Sequence, residues 1–375
     1  MWVEVEIAKH GGALSFHDFM ELALYHPRHG YYSSSRPRYG RGGDYLTAPT
    51  ASAWYAAVHR HWLIRLAAVL GPLTVVDVAS GDGSYLAGLL ERETASFLDR
   101  AVSVERSDAL RAVQDERFAG AAEVVPSLQE ALPPKSAAVL HLSELYDAMP
   151  VHRVVQRDDG LSEMWVAAGD GNLVWQERAA RPELGDYLRR HGVSLESGQI
   201  AEIDLHACSF HRRLLRWAGV RAAVLTLDYG YPAGRLYDSR GRRSGSLACY
   251  REHRLTRDPL AVPGEQDLTA HVNWDDLRHA AEAEGWHEVG LYPLAELLVR
   301  AGLTEVVEEC GLGLAAEIDG ATYRNRQEIK RLLDPDGMGS DLKVLVQAGP
   351  EVAELVAESL GNPVPPPSRE AGSEE

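Results

Sequence analysis

Short apolar runs alternate with amphipathic segments between residues 73 and 144. Four runs are rich in Val, Leu and Ala, at 73–78, 101–106, 122–126 and 137–144. Nearly continuous apolar runs of this length are typical of strands that are buried on both faces of a sheet. The segments between them have helical periodicity, so the pattern predicts an α/β fold with a doubly wound, mostly parallel sheet.

The residues before this region predict two helices. Ser15 is a suitable N-cap for a helical pattern over 15–25, and apolar residues recur at helical spacing again over 50–70. These helices precede the first predicted strand, so we expect a helical segment ahead of the sheet.

After Pro150 the apolar period shortens to two, which is typical of strands with one buried face. Asp-Gly pairs at 159–160 and 170–171 predict the turns of an antiparallel meander. A helix predicted over 199–218 and a strand over 222–230 then resume the α/β pattern.

Residues 231–267 lack clear periodicity and predict a long irregular insertion, a loop length that is usually functional when it is ordered. A late strand at 342–347 completes the predicted core. The proline-rich, acidic end of the chain predicts disorder.

The net charge and the cysteine content argue against some classes of function. The formal net charge is −17 over 375 residues, which argues against a nucleic-acid partner because such a partner requires a basic surface. The three cysteines form no Cys-x-x-Cys pair, so we expect free thiols in a reducing compartment. The N-terminus lacks the layout of a signal peptide and no apolar stretch of about 18 residues occurs, so we expect no membrane span and, by default, a cytoplasmic location.

The first apolar run ends at Asp77 and leads through a turn with Gly81 and Gly83 into an apolar helix. Glycines let a backbone approach a ligand closely, and Glu105 at the end of the next strand can accept hydrogen bonds from ribose hydroxyls. The spacing fits neither G-x-G-x-x-G nor a phosphate-binding loop with its lysine, which favours a nucleoside without phosphates, most commonly S-adenosylmethionine. The alternative is that these glycines only turn the chain between strand and helix.

Two acids, Glu144 and Asp147, follow the fourth apolar run. In open α/β sheets, ligands bind at the carboxyl ends of the strands. Two carboxylates at that edge can hold a guanidinium or an amine through charge-assisted hydrogen bonds. The alternative is a helix-capping acid beside a surface acid.

Seven stretches occur together in one order over roughly residues 14 to 348: FHDFMELALYHPRHGYY, GRGGDYLTAP, DVASGDGSYL, VERSDALRAVQ, SELYDAMPVHR, LTLDYGY and PGEQDLTAHVNWDDL. Together they resemble the MidA-like family of S-adenosylmethionine-dependent methyltransferases, whose mitochondrial members assist the assembly of respiratory complex I. The resemblance implies a seven-stranded, Rossmann-like class I methyltransferase sheet with an antiparallel last strand. It also implies S-adenosyl-L-methionine as the cofactor and direct methyl transfer to a protein substrate, an arginine of a respiratory complex subunit in the mitochondrial branch.

The resemblance also assigns site residues. The matching cofactor-binding positions are Gly43, Asp44, Asp77, Ala79, Gly81, Gly83, Glu105 and Ser143, and the matching catalytic carboxylates are Glu144 and Asp147. Three positions depart from the family pattern: Asp77 stands where Glu is usual, Ala79 replaces a glycine and Ser143 replaces an asparagine. Because the methyl group of Ala79 disfavours a positive φ, we expect weaker or differently shaped cofactor binding there.

The predicted domain organisation has five parts. They are a helical, cofactor-covering segment (1–70), the cofactor-binding half of the core (71–150), an antiparallel insertion (151–198), the second half of the core with the insertion 231–267 (199–348), and a C-terminal extension with a disordered tail (349–375). The two insertions are expected to shape the substrate side of the site.

Other candidates have ordinary interpretations. Asp267, Thr269 and His271 form a poor ligand set, so no metal site is expected. His141 lies within a buried strand and is expected to be a core histidine, whereas Tyr229 fits a substrate channel or a packed core equally well.

Two other functions compete with methyl transfer. A non-catalytic assembly factor or interaction module could retain the fold with a decayed loop at Ala79. A nicotinamide-dependent oxidoreductase is disfavoured by the missing third glycine.

Overall fold

The computed structural model describes residues 1–33, 47–91, 97–169, 171–252, 254–313 and 319–361. Gly43 and Asp44 lie outside the described residues, as does the predicted disordered tail after residue 361. The described residues form sixteen strands and sixteen helices.

The strands are, in chain order, β1 Ala13–Ser15, β2 Leu73–Val78, β3 Leu98–Val104, β4 Glu123–Val125, β5 Ala138–Ser143, β6 His152–Arg157, β7 Gly160–Ala168, β8 Leu173–Ala179, β9 Ile200–Ile203, β10 Ala222–Tyr231, β11 Ala248–Arg251, β12 Arg254–Thr256, β13 Asp267–Thr269, β14 Val272–Asn273, β15 His287–Pro293 and β16 Leu342–Ala348.

The helices are, in chain order, α1 Trp2–Lys9, α2 Phe16–Tyr25, α3 Ala48–Ala51, α4 Ala53–Leu70, α5 Ser84–Leu90, α6 Asp108–Phe118, α7 Pro182–Arg190, α8 Ala207–Ala218, α9 Ala233–Leu236, α10 Ser239–Arg242, α11 Trp274–Ala283, α12 Leu294–Arg300, α13 Leu303–Glu309, α14 Gly320–Leu332, α15 Met338–Asp341 and α16 Ala353–Ser359. None of the described helices is both long enough and apolar enough to cross a bilayer.

The central sheet runs in the order β15-β16-β10-β5-β2-β3-β4. Its pairs from β4 to β10 are parallel, and β16 runs antiparallel to both β10 and β15. The predicted α/β fold with a mostly parallel sheet and an antiparallel last strand is therefore confirmed. The described sheet has eight strands rather than the predicted seven, because the two-residue β14 pairs with the end of β10.

Helices cover both faces of this sheet. Val75 of β2 packs in a cluster with α4 and α5, whereas its neighbour Val76 packs in a second cluster with α8 and α11. Successive strand residues point to opposite faces, so a strand between two helix layers must be apolar throughout. This explains the continuous apolar runs of the sequence.

The strand order reverses beside β2, which pairs with β3 on one side and with β5 on the other. In open α/β sheets such a reversal leaves a crevice at the carboxyl ends of the strands, where ligands bind. Asp77, Glu105 and Glu144 all lie at that edge, in or directly after β2, β3 and β5.

A second, antiparallel sheet contains the meander β6-β7-β8, with a turn at the predicted pair Asp159-Gly160. Of the second predicted pair, Asp170 lies outside the described residues. Strand β1 pairs with β7 and β9 pairs with β6, so segments before and after the meander complete this sheet. The domain boundaries remain a prediction.

Two local predictions are wrong. The helix predicted over 199–218 begins only at Ala207, because the alternating residues of β9 pair with β6. The segment 231–267, predicted to be irregular, contains two short helices and the three-stranded sheet β12-β11-β13. Its strands have only three or four residues, which is too short for a periodicity to be recognised in the sequence.

Candidate active site

A cavity of about 730 Å³ opens at the carboxyl edge of the central sheet. Its walls come from the loop after β2, the ends of β3, β4 and β5, and parts of α2 and α8. The volume lies within the range of small-molecule and cofactor sites. Six of the predicted site residues line this cavity: Asp77, Ala79, Gly81, Glu105, Ser143 and Glu144.

The loop after β2 has a left-handed backbone at three positions. The φ angles are 57° at Ala79, 58° at Gly81 and 75° at Gly83. The backbone N–H of Ala79 donates to the carbonyl of Val104 at 2.8 Å, which ties the loop to β3. Despite its methyl group, Ala79 adopts the backbone that a glycine would adopt, at a cost in strain. Weaker or differently shaped cofactor binding at this position remains a prediction.

Glu105 closes this loop from the end of β3. Its carboxylate accepts hydrogen bonds from the backbone N–H groups of Gly81 at 2.9 Å and Ser107 at 2.8 Å. Burial raises the pKa of Glu105 to about 7, and the two backbone donors oppose this shift. The side chain lines the cavity, where a ribose is expected to meet it.

A buried glutamine holds the same loop from α6. The side-chain amide of Gln114 donates to Ser80 Oγ at 2.8 Å and to the carbonyl of Gly81 at 2.7 Å, and accepts from Ser103 Oγ. Gln114 is fully buried. Sequence reasoning missed this residue, because only the tertiary fold brings α6 under the loop.

Gly83 supports the loop through packing and is absent from the cavity lining. A Cβ at this position would lie 2.6 Å from Phe118 Cζ and 3.0 Å from Gln114 Cγ. The glycine thus allows α5 to begin directly against α6.

Asp77 and His141 form a buried pair on neighbouring strands. Asp77 Oδ1 lies 2.8 Å from His141 Nδ1, and His141 Nε2 lies 2.8 Å from the hydroxyl of Tyr55. The second carboxylate oxygen, Asp77 Oδ2, has no hydrogen-bond partner among the described residues. Burial raises the pKa of Asp77, and the hydrogen bond with His141 opposes the shift.

Glu144 directly follows β5 with a φ of 51°, which is strained for a non-glycine residue. Its Oε1 and the neighbouring Ser143 Oγ are buried without a hydrogen-bond partner among the described residues. Both residues line the cavity. Burial raises the pKa of Glu144 well above its usual range, and the carboxylates of Asp147 and Asp267 add to the shift.

Asp147 is buried directly behind the cavity wall and does not line the cavity. Burial raises its pKa, and the negative charges of Asp228 and Asp267 raise it further. Asp228, at the end of β10, accepts hydrogen bonds from the backbone N–H groups of Tyr146 at 3.0 Å and Asp147 at 3.3 Å. Asp228 therefore fixes the turn that carries both predicted catalytic carboxylates.

Asp228 and Asp267 were not predicted as site residues, although Asp228 ends a predicted strand at the ligand edge. Asp267 accepts a hydrogen bond from the hydroxyl of Tyr32 at 2.8 Å. Burial raises the pKa of Tyr229, and the nearby negative charge of Glu144 raises it further. Four carboxyl groups, of Glu144, Asp147, Asp228 and Asp267, thus surround one corner of the site. We call them the acidic cluster.

The weak metal candidate does not assemble. His271 Nδ1 lies 2.9 Å from a guanidinium nitrogen of Arg242, and Asp267 interacts with Tyr32 instead. Within the described ranges, no group of three or more His, Cys, Asp or Glu side chains has a geometry that could hold a metal ion.

A family model described as "Putative S-adenosyl-L-methionine-dependent methyltransferase" matches residues 56–292. The chain belongs to this family. It is an S-adenosyl-L-methionine-dependent methyltransferase, and neither the assembly-factor alternative nor the nicotinamide alternative is favoured. The lining residues fit the cofactor, because the cavity presents carboxylates suited to a cationic nucleoside and no lysine of a phosphate-binding loop.

Curated relatives of this methyltransferase are protein arginine methyltransferases. The NDUFAF7 homolog of Drosophila melanogaster, mitochondrial, is 26% identical over 306 residues, which cover 73% of this chain and 68% of that protein. The human mitochondrial NDUFAF7 is 25% identical over 315 residues, which cover 74% of this chain and 67% of that protein. The expected cytoplasmic location is contradicted, because these relatives are named mitochondrial.

Two crystal structures of Burkholderia thailandensis proteins resemble this methyltransferase over most of its length. One, bound to S-adenosyl-homocysteine, has a TM-score of 0.81 and 30% identity and covers 92% of this chain and 90% of its own. The other, a native structure of an uncharacterized protein, has a TM-score of 0.76 and 28% identity with the same coverage. These structures support the methyltransferase fold and the cofactor.

Proposed function

We propose that this methyltransferase transfers a methyl group to the guanidinium of an arginine in a protein substrate. One observation carries the proposal: Glu144 Oε1 is buried at the cavity without a hydrogen-bond partner among the described residues, beside three further carboxyl groups. A guanidinium carries a permanent positive charge and five N–H donors in a plane, which suits such a group of acceptors. The names of the curated relatives support the same substrate class.

Residues at the ends of three strands, β2, β3 and β5, would hold the cofactor. Asp77, Ala79, Gly81, Glu105 and Ser143 border the cavity and would bind the nucleoside and the amino-acid portion. When bound, S-adenosylmethionine supplies a methyl group on a positively charged sulfur. The resemblance adds Gly43 and Asp44 as covering residues, and Gly83 would act through loop packing.

Glu144 would orient the guanidinium and accept its proton. The nucleophilic nitrogen must lose a proton during methylation. The positive charge of the bound guanidinium favours the ionised form of Glu144, whose carboxylate can then take up that proton, and the raised pKa favours keeping it. The left-handed backbone at Glu144 turns its side chain back toward the cavity from the end of β5.

Asp147, Asp228 and Asp267 would support Glu144 from behind. Asp147 was predicted to be catalytic. Its position behind the cavity wall suits an indirect role, in which its negative charge raises the pKa of Glu144. A positively charged side chain entering the site would relieve the repulsion among the four carboxyl groups of the acidic cluster.

The finer architectural assignments belong to the same proposal. The path β15-β16-β10-β5-β2-β3-β4 would be the seven-stranded class I methyltransferase sheet, with β14 as an addition. The predicted insertions 151–198 and 231–267 would shape the substrate side, and Asp267 of β13 lies close enough to raise the pKa of Glu144. A respiratory complex subunit is the substrate that the family resemblance favours.

Replacing Glu144 with Gln tests the proposal. The protein is incubated with methyl-labelled S-adenosylmethionine and a library of arginine-containing peptides, and mass spectrometry locates the label. For an accepted peptide, Glu144→Gln should lower kcat at least about 100-fold, because the acceptor for the guanidinium proton is removed. The dissociation constant of S-adenosylhomocysteine should change less than about threefold.

The matched control is Glu116→Gln, on the exposed face of α6, which should leave both quantities unchanged. Label on lysine rather than arginine would exclude the proposed substrate class. An unchanged kcat in Glu144→Gln would exclude the proposed role of that carboxylate.

A further inference from the structure

Five buried side chains form a polar and aromatic cluster beneath the cofactor loop: Asp77 on β2, His141 on β5, Tyr55 and His59 on α4, and Tyr85 on α5. Each is at most 3% exposed, which is unusual for so many polar groups in one place. Asp77, His141 and Tyr85 also line the cavity. Of these residues, the sequence predicted Asp77 as a cofactor-binding residue and His141 as an ordinary core histidine.

The two hydrogen bonds of His141 specify one arrangement. When Asp77 is ionised its Oδ1 can only accept, so His141 Nδ1 donates to it; the hydroxyl of Tyr55 then donates to His141 Nε2. In this neutral tautomer every polar atom of the imidazole and of Tyr55 is satisfied. A doubly protonated ring would leave the buried hydroxyl hydrogen of Tyr55 without a described acceptor.

Packing holds the imidazole in this position. The Tyr85 ring stacks on it with centroids 3.7 Å apart and an interplanar angle of 21°. Asp77 and His141 also lie directly opposite each other in the parallel pairing of β2 with β5. The imidazole therefore has little freedom to rotate away from the carboxylate.

A neutral imidazole leaves the negative charge of Asp77 uncompensated. Within the part of the chain that the structure describes, Asp77 forms an ion-pair contact with His141 and with no arginine or lysine. Asp77 Oδ2 has no hydrogen-bond partner there either. An anion fixed at the wall of a cavity in this way attracts a cation placed inside the cavity.

We propose that His141, held by Tyr55 and Tyr85, is a positioning residue that fixes Asp77 beside the cavity, so that the site selects adenosyl compounds that carry a cationic group over those that carry none. The inference rests on the cofactor and is independent of the arginine substrate. It assigns to His141 an effect on ligand discrimination that a residue needed only for core packing would not have.

Three ligands test the proposal by calorimetry, because they carry different charges at the sulfur and the amino group. S-adenosylmethionine has a sulfonium and an ammonium, S-adenosylhomocysteine has only the ammonium, and methylthioadenosine has neither. In His141→Leu, the preference for S-adenosylhomocysteine over methylthioadenosine should fall at least about tenfold, while methylthioadenosine binding changes less than about threefold. His141→Asn retains a donor near the position of Nδ1 and should restore the preference to within about threefold of the wild type.

The matched control is His59→Leu. His59 is equally buried in the same cluster and contacts the Tyr85 hydroxyl at 3.3 Å, but it forms no described hydrogen bond with Asp77. It should leave the ligand preference unchanged even if it lowers stability. Equal losses of affinity for all three ligands in His141→Leu would overturn the proposal.

If His141→Leu does not fold, the variant Tyr55→Phe tests the same proposal. It removes only the hydroxyl that fixes the tautomer, and it should lower the preference for S-adenosylhomocysteine while retaining methylthioadenosine binding. A preference identical to that of the wild type in both Tyr55→Phe and Asp77→Asn would show that this cluster does not select charge.

Discussion

Two non-glycine residues at the cavity, Ala79 and Glu144, have φ angles of 57° and 51°. An L-residue in this region is strained by roughly 1–2 kcal/mol, which persists only where the surroundings determine the backbone. At Ala79 the surroundings are the bond to Val104 and the buried contacts of the loop with Gln114. At Glu144 the backbone N–H donates to the carbonyl of Leu227 at 2.8 Å.

Ala79→Gly should stabilise the protein by about 0.5–1 kcal/mol, since glycine relieves the strain but also increases the freedom of the unfolded chain. Because Ala79 already has the left-handed backbone, affinity for S-adenosylhomocysteine should change less than about threefold. Urea unfolding and calorimetry measure the two quantities.

The control for this substitution is Ala119→Gly, at the exposed end of α6, where φ is 48°. It should give a similar stabilisation with no effect on the cofactor. A tenfold gain in affinity for Ala79→Gly alone would show that the methyl group, rather than the backbone, limits binding.

At the scale of elements, the loop after β2 depends on the contact between α5 and α6. Gly83 begins α5 where Phe118 and Gln114 leave no room for a side chain. The cofactor loop is therefore shaped by a helix that follows it by more than twenty residues. Its conformation is a property of the packed unit β2-α5-β3-α6 and not of the loop sequence alone.

Gly83→Ala should lower the free energy of unfolding by about 2–4 kcal/mol, because the new methyl group adds overlap with Phe118 to the strain of a positive φ. Gly120→Ala is the matched control, since Gly120 has a φ of 86° and open space around its Cβ position. It should cost only about 1–2 kcal/mol, from backbone strain alone. Equal losses for the two variants, measured by urea unfolding, would contradict the packing role of Gly83.

At the scale of the whole molecule, burial of acids makes stability depend on pH. The pKa of Glu105 is raised to about 7, and those of Glu144, Asp147 and Asp228 are raised as well, all chiefly by burial. An acid with a raised folded pKa contributes stability below its unfolded pKa and loses it as pH rises through the folded value. Above pH 7 the histidines with lowered pKa, such as His211 and His271, are neutral in both folded and unfolded states and do not oppose this trend.

The free energy of unfolding of the ligand-free protein should therefore fall between pH 7 and 9, by about 1 kcal/mol or more. Urea unfolding across this range measures the slope. Glu144→Gln should make it shallower, because one buried acid no longer ionises, whereas Glu116→Gln should leave it unchanged. A stability that rises from pH 7 to 9 would contradict the assignment of these raised pKa values.

Much of the sheet could be predicted, because its strands are buried on both faces and are therefore visible in the sequence as apolar runs. The ligand edge followed from the acids at the strand ends, as at Asp77 and Glu105. Gln114, Tyr55 and Asp228 could not be predicted, because each acts across a long stretch of chain on a backbone or side chain that only the fold brings near. The short strands β11–β13 were missed because three or four residues carry too little periodicity.

The position of β16 affects how the nascent chain folds during translation. This strand lies inside the sheet, between β10 and β15, although it is synthesised more than a hundred residues after β10. Until it emerges from the ribosome, the nascent chain exposes an unpaired edge of β10, which invites association with other chains. Chaperone protection during this interval would thus matter more to the yield of active protein than the speed at which the earlier strands assemble.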